Sequence, residues 1–204
     1  MKGAEDSMLK IEKDSVPDFW SKVIKRTKNY DDLDSSDEGR IARQKLRNHL
    51  IEVQKGICAY CCKSIDSDSS LTEHIKPRDG FPNNTLDYDN MIASCREHDT
   101  CSSSKGNEYS SLFVSPLEDD VESHFAFVPD GTLICLSERA EFTCKLLNLN
   151  SYRLKKARAA TLQFCKSYGD DTDLINEYYL CREDGNYEAF ADIIKYYCEH
   201  EEIR

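Results

Sequence analysis

Two pairs of cysteines most strongly constrain what this chain can fold into. Cys58 and Cys61 stand in ICAYCCKS, and Cys95 and Cys101 stand in SCREHDTCSSSKG. The C-x-x-C spacing of the first pair lets one tight turn present two thiolates to a tetrahedral zinc ion, and the second pair supplies two more. The four cysteines predict a closed structural zinc site that holds together residues 57–115.

Neighbouring residues leave the ligand set open at two positions. Cys62 is an alternative to Cys61, although the C-x-x-C spacing is the commoner geometry. The gap of five residues in the second pair is unusual, and His98 stands at C-x-x-H spacing from Cys95. The fourth ligand is therefore either Cys101 or His98.

Ten cysteines would also suit a secreted, disulfide-stabilised protein. The N-terminal sequence MKGAEDSMLKIEKDS is polar and has no apolar signal core, and no run approaches the about 18–20 apolar residues of a membrane span. We therefore expect a cytoplasmic protein with no membrane contact, in which clustered cysteines bind metal. The dispersed cysteines are expected to be small buried apolar residues: Cys135, Cys144, Cys165, Cys181 and Cys198.

The net charge of −11 is unevenly distributed along the chain. Residues 169–204 contain eleven acidic and three basic side chains, whereas residues 148–167 contain five bases and no acid. Free-standing affinity for nucleic acid requires a larger basic footprint. The distribution favours a weakly binding protein that a partner delivers to its substrate.

The apolar pattern predicts an α+β fold, mostly helical, with small β elements. Residues 1–56 are expected to form an N-terminal helical segment in which Gly56 caps the second helix, and residues 57–115 form the cysteine-containing part. Within residues 116–204, HFAFVPDGTLICL predicts a β-hairpin that turns near 129–131, and four helices follow it, all packed as one compact unit. The predicted apolar stripes are Val16, Phe19, Trp20, Val23 and Ile24 in the first helix and Ile41, Leu46, Leu50 and Val53 in the second.

Residues with catalytic side chains stand between the two cysteine pairs. Glu73 and His74 lie in LTEHIKPRDG, and Asn90 precedes Cys95 by five residues. A neutral histidine can take a proton from water near pH 7, and a glutamate offers a hard oxygen to Mg²⁺. A histidine and an asparagine between two zinc-binding pairs are a rare coincidence, so we expect an active centre framed by the cysteines.

These residues resemble the HNH endonucleases, whose ββα-metal module is often held together by a four-cysteine zinc site. The residues that match the HNH motif are CAYC at 58–61, EHIKP at 73–77, Asn90, Cys95 and CSSSKG at 101–106. Over roughly residues 16–160 the chain also looks, more weakly, like the PtuB-like HNH subunits of Septu antiphage systems, in the runs 53–61, 115–127, 129–134 and 147–158. Septu modules also occur in certain retrons.

The resemblance implies a role for each residue of the motif. His74 becomes the general base, Asn90 the residue that orients it, and Glu73 a ligand of a catalytic Mg²⁺ or Mn²⁺. The implied ligands of the structural Zn²⁺ are Cys58, Cys61, Cys95 and Cys101.

The third HNH position departs from the family pattern. It is usually a histidine or asparagine that ligates metal, but here it is Ser102 if Cys101 binds zinc, and a neutral hydroxyl is a poor primary ligand. If His98 binds zinc instead, Asp99 takes that position. We favour Cys101 because CSSSKG keeps the usual spacing to Lys105, which is expected either to approach a phosphate or to be exposed.

The resemblance also implies a nucleic-acid substrate and a PtuA-like ATPase partner and, in a retron, a reverse transcriptase with its DNA–RNA product. It predicts a metal-dependent endonuclease that is the toxic or degradative effector of an antiphage system. Two alternatives stay open: a catalytically degenerate, zinc-stabilised interaction module of the same complex, and a disulfide-stabilised protein of unrelated function.

Overall fold

A computed structural model describes residues 8–169, 171–180, 182–200 and 203. It consists of helices around two small antiparallel sheets, in agreement with the predicted α+β class. No described helix has the combined length and apolar character that a membrane span requires. The elements are α1 (Asp18–Ile24), a 3₁₀ helix (Tyr30–Ser35), α2 (Asp37–Val53), β1 (Ser70–His74), β2 (Met91–Cys95), α3 (Cys101–Lys105), β3 (Phe125–Phe127), β4 (Leu133–Cys135), α4 (Glu138–Leu146), α5 (Tyr152–Lys166), α6 (Thr172–Ile175), a π-helical turn (Asn176–Leu180) and α7 (Ala191–Glu199), with short 3₁₀ turns at Pro82–Asn84, Tyr88–Asn90 and Val121–His124.

The first helix buries a narrower face than the predicted apolar stripe. It ends at Ile24 after two turns, and Trp20 is its buried residue, with the indole N–H donating to the carbonyl of Leu86 at 3.1 Å. The predicted stripe was wrong at Val16 and Ile24, which are both exposed. A helix of two turns presents one narrow strip to the core, and the large indole occupies it.

Helix α2 is oriented by close backbone packing of its first turn against the preceding 3₁₀ helix. Gly39 packs so tightly on the 3₁₀ helix that an added Cβ would lie 2.1 Å from the carbonyl oxygen of Leu33. Leu46 and Leu50 share the face of Gly39 and are buried, whereas Ile41 lies almost opposite and is 63% exposed, so its predicted burial was wrong. The helix ends at Val53 with Gln54 as its cap, and Gly56, with φ +75°, closes the turn by donating its N–H to Ile51.

The C-terminal part follows the predicted order of elements. Strands β3 and β4 pair as an antiparallel hairpin, with Gly131 in its turn at φ +80°. The four predicted helices correspond to α4, α5, α6 with the π-helical turn that follows it, and α7. One continuous core includes buried residues from Met8 to Ile203, while the boundaries at 56 and 115 stay a prediction.

The dispersed cysteines are mostly core residues, as predicted. Cys144, Cys165 and Cys198 are buried, Cys135 is partly exposed, and Cys181 lies outside the described residues. All nine described cysteines carry free thiols. The described part of the chain therefore contains no disulfide framework.

Candidate metal centre and active site

The four predicted zinc ligands form one buried cluster. The Sγ atoms of Cys58 and Cys101 are 3.9 Å apart, as are those of Cys61 and Cys95, and all four sulfurs lie within 4.8 Å of one another. A tetrahedral site with zinc–sulfur bonds of about 2.3 Å has sulfur–sulfur edges of about 3.8 Å. The cluster could hold a metal ion, and its dimensions fit zinc.

Local backbone geometry assembles this cluster. The chain turns at Cys58, whose carbonyl accepts from the N–H of Cys62, and the Cys58 sulfur accepts from the N–H of Cys95 at 3.3 Å. Cys101 is held from another element, because its N–H donates to the carbonyl of Leu147 just beyond α4. Burial opposes ionisation of Cys58, but hydrogen bonds from the other three thiols outweigh it and hold the pKa of this thiol well below its usual range.

The alternative ligands lie elsewhere. Cys62 is buried in a separate apolar cluster with Leu9, Ile57 and Ala191. Among the described residues, Cys101 rather than His98 completes the group of four ligand atoms. Asp99, the alternative third position, forms an ion pair with Arg153. The geometry therefore favours the register in which Ser102 follows the last cysteine of the zinc site.

Glu73, His74 and Asn90 lie at or beside the other end of the same hairpin, while Ser102 directly follows Cys101 in α3. In the antiparallel register Ser70 pairs with Cys95 and His74 pairs with Met91, so about 13 Å of strand separates the two ends. An open pocket of about 310 Å³ lies there, lined in part by Glu73, His74, Arg78, Ser102 and Asn107. A larger cavity of about 660 Å³ lies between residues 9–14 and the end of α2 and contains none of the predicted catalytic residues.

His74 is held in one tautomer by the loop that joins β1 to β2. Its Nε2 lies 3.0 Å from the carbonyl oxygen of Thr85, which can only accept, so Nε2 carries the proton and the neutral ring has its lone pair on Nδ1. Burial lowers the pKa of His74, and the charges of Lys105 and Arg43 lower it further, against the hydrogen bond to Thr85. The imidazole is therefore favoured in the neutral form that a general base requires.

Asn90 shapes this loop rather than bonding to the imidazole. Its side-chain oxygen accepts from the N–H of Lys76 at 2.8 Å, and its amide donates to the carbonyls of Lys76 at 3.0 Å and Asn84 at 3.1 Å. These bonds tie together the start and the middle of the loop, next to the Thr85 carbonyl. Among the described residues, the side-chain hydrogen bonds of Asn90 are therefore to the loop backbone and not to His74.

Lys105 is buried, so the expectation that it is exposed was wrong, while its approach to a phosphate stays a prediction. Its side chain is 1% exposed, and its ammonium lies 2.9 Å from Oε1 of Glu73 and donates to the carbonyl of His74 at 3.0 Å. The lysine fixes the end of β1 against α3, because a buried ammonium requires charged or polar partners.

Two oxygen donors in the pocket suit a divalent cation. The Oγ of Ser102 is buried without a hydrogen-bond partner among the described residues. Glu73 pairs with Lys105 through one oxygen, and a carboxylate has about four lone-pair sites on its two oxygens. An orphaned hydroxyl and a partly engaged carboxylate in one pocket fit a hard cation such as Mg²⁺.

Sequence reasoning missed the Thr85 carbonyl, the packing of Tyr30 on His74 and the place of Arg78 in the pocket. The rings of Tyr30 and His74 meet edge to face, with centroids 4.8 Å apart. Tyr30 precedes His74 by 44 residues in the sequence, so no local sequence pattern predicts the contact.

Two curated proteins are similar to this chain. A protein of retron Vc95 from Vibrio cholerae serotype O1 biovar El Tor, named as a candidate HNH endonuclease, is 34% identical over 93 residues, which cover 42% of this chain and 44% of that protein. The Septu protein PtuB of Bacillus thuringiensis is 29% identical over 79 residues, or 37% of this chain and 30% of PtuB. The chain thus matches less than half the length of either relative, and no protein-family model matches it. Over the matched part, the chain resembles the PtuB-like HNH endonucleases of defence systems.

Proposed function

We propose that this protein is a metal-dependent HNH endonuclease that hydrolyses phosphodiester bonds of nucleic acid. The observation that carries the proposal is that Glu73, His74 and Ser102 line one pocket at the open end of a hairpin. The other end of that hairpin belongs to a four-cysteine cluster of zinc dimensions. We interpret β1, β2 and α3 as a ββα-metal module, in accordance with the HNH relatives.

His74 is the proposed general base. Nδ1 of its neutral ring takes a proton from the attacking water, while Nε2–H stays bonded to the Thr85 carbonyl and fixes the ring. Asn90 acts as a positioning residue, because it holds the loop that contains this carbonyl. Tyr30 packs against the imidazole and limits its rotation.

Two metal sites accompany this chemistry in the proposal. Cys58, Cys61, Cys95 and Cys101 would hold a structural Zn²⁺, whose contribution is to the fold. Glu73 and Ser102 would hold a catalytic Mg²⁺ or Mn²⁺ together with water and substrate oxygens. When bound there, this cation neutralises charge at the phosphoryl group.

The proposed setting is an antiphage defence complex in the cytoplasm. The resemblance to Septu PtuB supports a PtuA-like ATPase partner, and the resemblance to the retron protein supports a reverse transcriptase with its DNA–RNA product. The net charge of −11 agrees with a toxic effector that binds its substrate weakly until the complex delivers it.

One observation favours a second candidate, a catalytically degenerate interaction module. Lys105 already places a positive charge 2.9 Å from Glu73, and Ser102 is a neutral donor, so the pocket holds a divalent cation less strongly than a site with a second anionic ligand. In that case the cysteine cluster would stabilise a surface that binds the ATPase and performs no chemistry.

Cleavage by the purified full-length protein tests the proposal. The zinc-replete protein is incubated with duplex DNA, single-stranded DNA and RNA, with Mg²⁺ or Mn²⁺, alone and together with the PtuA-like ATPase. We expect cleavage of at least one nucleic acid that requires the added divalent ion. Retention of zinc and binding to the ATPase without cleavage under any of these conditions would favour the interaction module.

A further inference from the structure

An aromatic ring from outside the hairpin gathers two arginines beside the pocket. Tyr30, the first residue of the 3₁₀ helix, is buried and packs its ring edge-to-face against His74. The guanidinium carbons of Arg43 and Arg78 lie 4.6 and 5.6 Å from the centroid of the Tyr30 ring. Two positive charges thus share a ring that contacts the proposed general base.

Acidic residues of the same 3₁₀ helix hold both arginines. Arg43 forms an ion pair with Asp34, and Arg78 forms one with Asp31. The two arginines reach Tyr30 from different elements, since Arg43 belongs to α2 and Arg78 to the loop after β1. The ring and the carboxylates therefore fix guanidinium groups that the local sequence alone would leave mobile.

Arg78, unlike Arg43, lines the pocket that contains the proposed catalytic residues. It lines the pocket with Glu73, His74 and Ser102, and its side chain is 38% exposed. A guanidinium has five N–H donors, of which one carboxylate engages at most two, so donors remain for a second anion. Its planar fork matches phosphate oxygens, and the Asp31 carboxylate and the nearby Tyr30 ring restrict the side chain before it binds.

We propose that Arg78 binds a phosphate of the nucleic-acid backbone next to the scissile bond, while Tyr30 and Arg43 are positioning residues. The inference rests on the proposed nuclease function and identifies the ligand class of the same pocket, the phosphodiester backbone of DNA or RNA. Asp31 then both positions the Arg78 guanidinium and competes with the phosphate for it, because its carboxylate occupies N–H donors that a phosphate can use.

Two exposed ion pairs in the same region allow a matched test. Arg78–Asp31 borders the pocket, whereas Arg40–Asp37 lies on α2 and has no part in the proposed machinery. The variants Arg78→Ala, Asp31→Asn, Arg40→Ala and Asp37→Asn are made in the full chain with His74→Ala, so that substrate is bound and not cleaved. Affinity is measured by fluorescence anisotropy with labelled duplex DNA, single-stranded DNA and RNA over a range of salt concentrations.

The expected effects have opposite signs for the two members of the Arg78–Asp31 pair. Arg78→Ala weakens binding about tenfold and reduces the slope of log affinity against log salt by about one. Asp31→Asn strengthens binding about threefold, because the guanidinium loses a competing anion. The Arg40 and Asp37 variants change affinity by less than about twofold. The nucleic acid for which the Arg78 effect is largest identifies the source of the phosphate.

Three results would overturn the inference. One is an Arg78→Ala variant that binds like Arg40→Ala. Another is a loss of affinity in Asp31→Asn equal to that in Arg78→Ala, which indicates a purely structural ion pair. The third is no binding to any of the three nucleic acids, either by the chain alone or together with the PtuA-like ATPase. A further outcome separates the inference from the nuclease function. If the Arg78 and Asp31 variants change affinity as expected but the parent protein, with His74 intact, does not cleave, the phosphate contact is supported and the nuclease function is refuted.

Discussion

The two ends of the β1–β2 hairpin are built on different principles. At one end, four cysteines from two short sequence stretches form a buried cluster whose sulfurs contact one another. At the other end, the pocket around His74 is open and depends on groups from a distant helix, a long loop and α3. The buried cysteine cluster can stabilise the fold although solvent and substrate do not reach it. The pocket keeps His74 and Glu73 accessible, and their positions therefore depend on contacts with residues distant in the sequence.

The largest expected effect comes from breaking the closed end. Cys58→Ser removes one of four thiolates, and structural zinc in comparable sites contributes about 10–16 kcal/mol of apparent binding free energy. That exceeds the stability of most domains of this size, so the variant should lose zinc and unfold. Zinc content by mass spectrometry and thermal unfolding by circular dichroism measure both changes.

Cys62→Ala is the matched control for this experiment, because Cys62 is buried next in sequence to the cluster but packs in a different group. It should keep its zinc and lose about 1 kcal/mol of stability at most. Zinc loss in the Cys62 variant would instead support Cys62 as the ligand in place of Cys61.

A smaller effect is expected from loosening the support of the open end. Asn90→Ala removes three hydrogen bonds to backbone groups of Lys76 and Asn84, which should cost about 2–4 kcal/mol of unfolding free energy. The cleavage rate should fall about 100-fold because the Thr85 carbonyl that orients His74 shifts. Chemical denaturation and single-turnover kinetics separate the two effects.

Asn84→Ala serves as the control in the same loop, since its side chain bonds only to the exposed carboxylate of Asp87 among the described residues. It should leave the cleavage rate within about twofold of the parent protein. A rate as low as that of Asn90→Ala would mean that any disturbance of this loop abolishes activity, and the specific role of Asn90 would be lost.

Ser102→Asn places at the third HNH position, in the pocket, one of the two residues that HNH enzymes usually have there. An amide oxygen is a better ligand for a hard cation than a neutral hydroxyl. We expect the Mg²⁺ or Mn²⁺ concentration for half-maximal cleavage to fall about tenfold, with Mn²⁺ binding followed by electron paramagnetic resonance. An unchanged metal requirement would place the cation away from Ser102.

The smallest expected effect is that of His98→Ala. Cys101 rather than His98 completes the cysteine cluster, so zinc content and thermal stability should both stay at the level of the parent protein. Loss of one zinc ion per chain would restore the register in which His98 is a ligand and Asp99 takes the third catalytic position.

The difference between the two ends also explains what could be predicted from the sequence. Zinc ligands must converge within a few ångströms from short turns, so the spacing of Cys58, Cys61, Cys95 and Cys101 is visible locally. The turn at Gly131 follows similarly from a short-range pattern. The pairing of β1 with β2, by contrast, was implied only by the resemblance to the ββα-metal module. The place of Glu73 and His74 at the open end was inferred from the family motif.

Long-range packing was not visible. The burial of Lys105 depends on a carboxylate 32 residues earlier, and the packing of Tyr30 on His74 depends on how α2 docks through Gly39. Ile41 was assigned to the core because it fits an apolar stripe, although the contact at Gly39 turns it outward. Periodicity identifies a helix more reliably than the face that the helix buries.

The most direct test of the two-ended account measures zinc and cleavage on one preparation of His74→Ala, compared with the parent protein. The account predicts that the variant stays folded and keeps one zinc ion per chain, while its single-turnover cleavage rate falls by at least about 100-fold. Undiminished cleavage at full zinc occupancy would contradict the assignment of His74 as the general base. Loss of zinc in this variant would contradict the separation of the two ends.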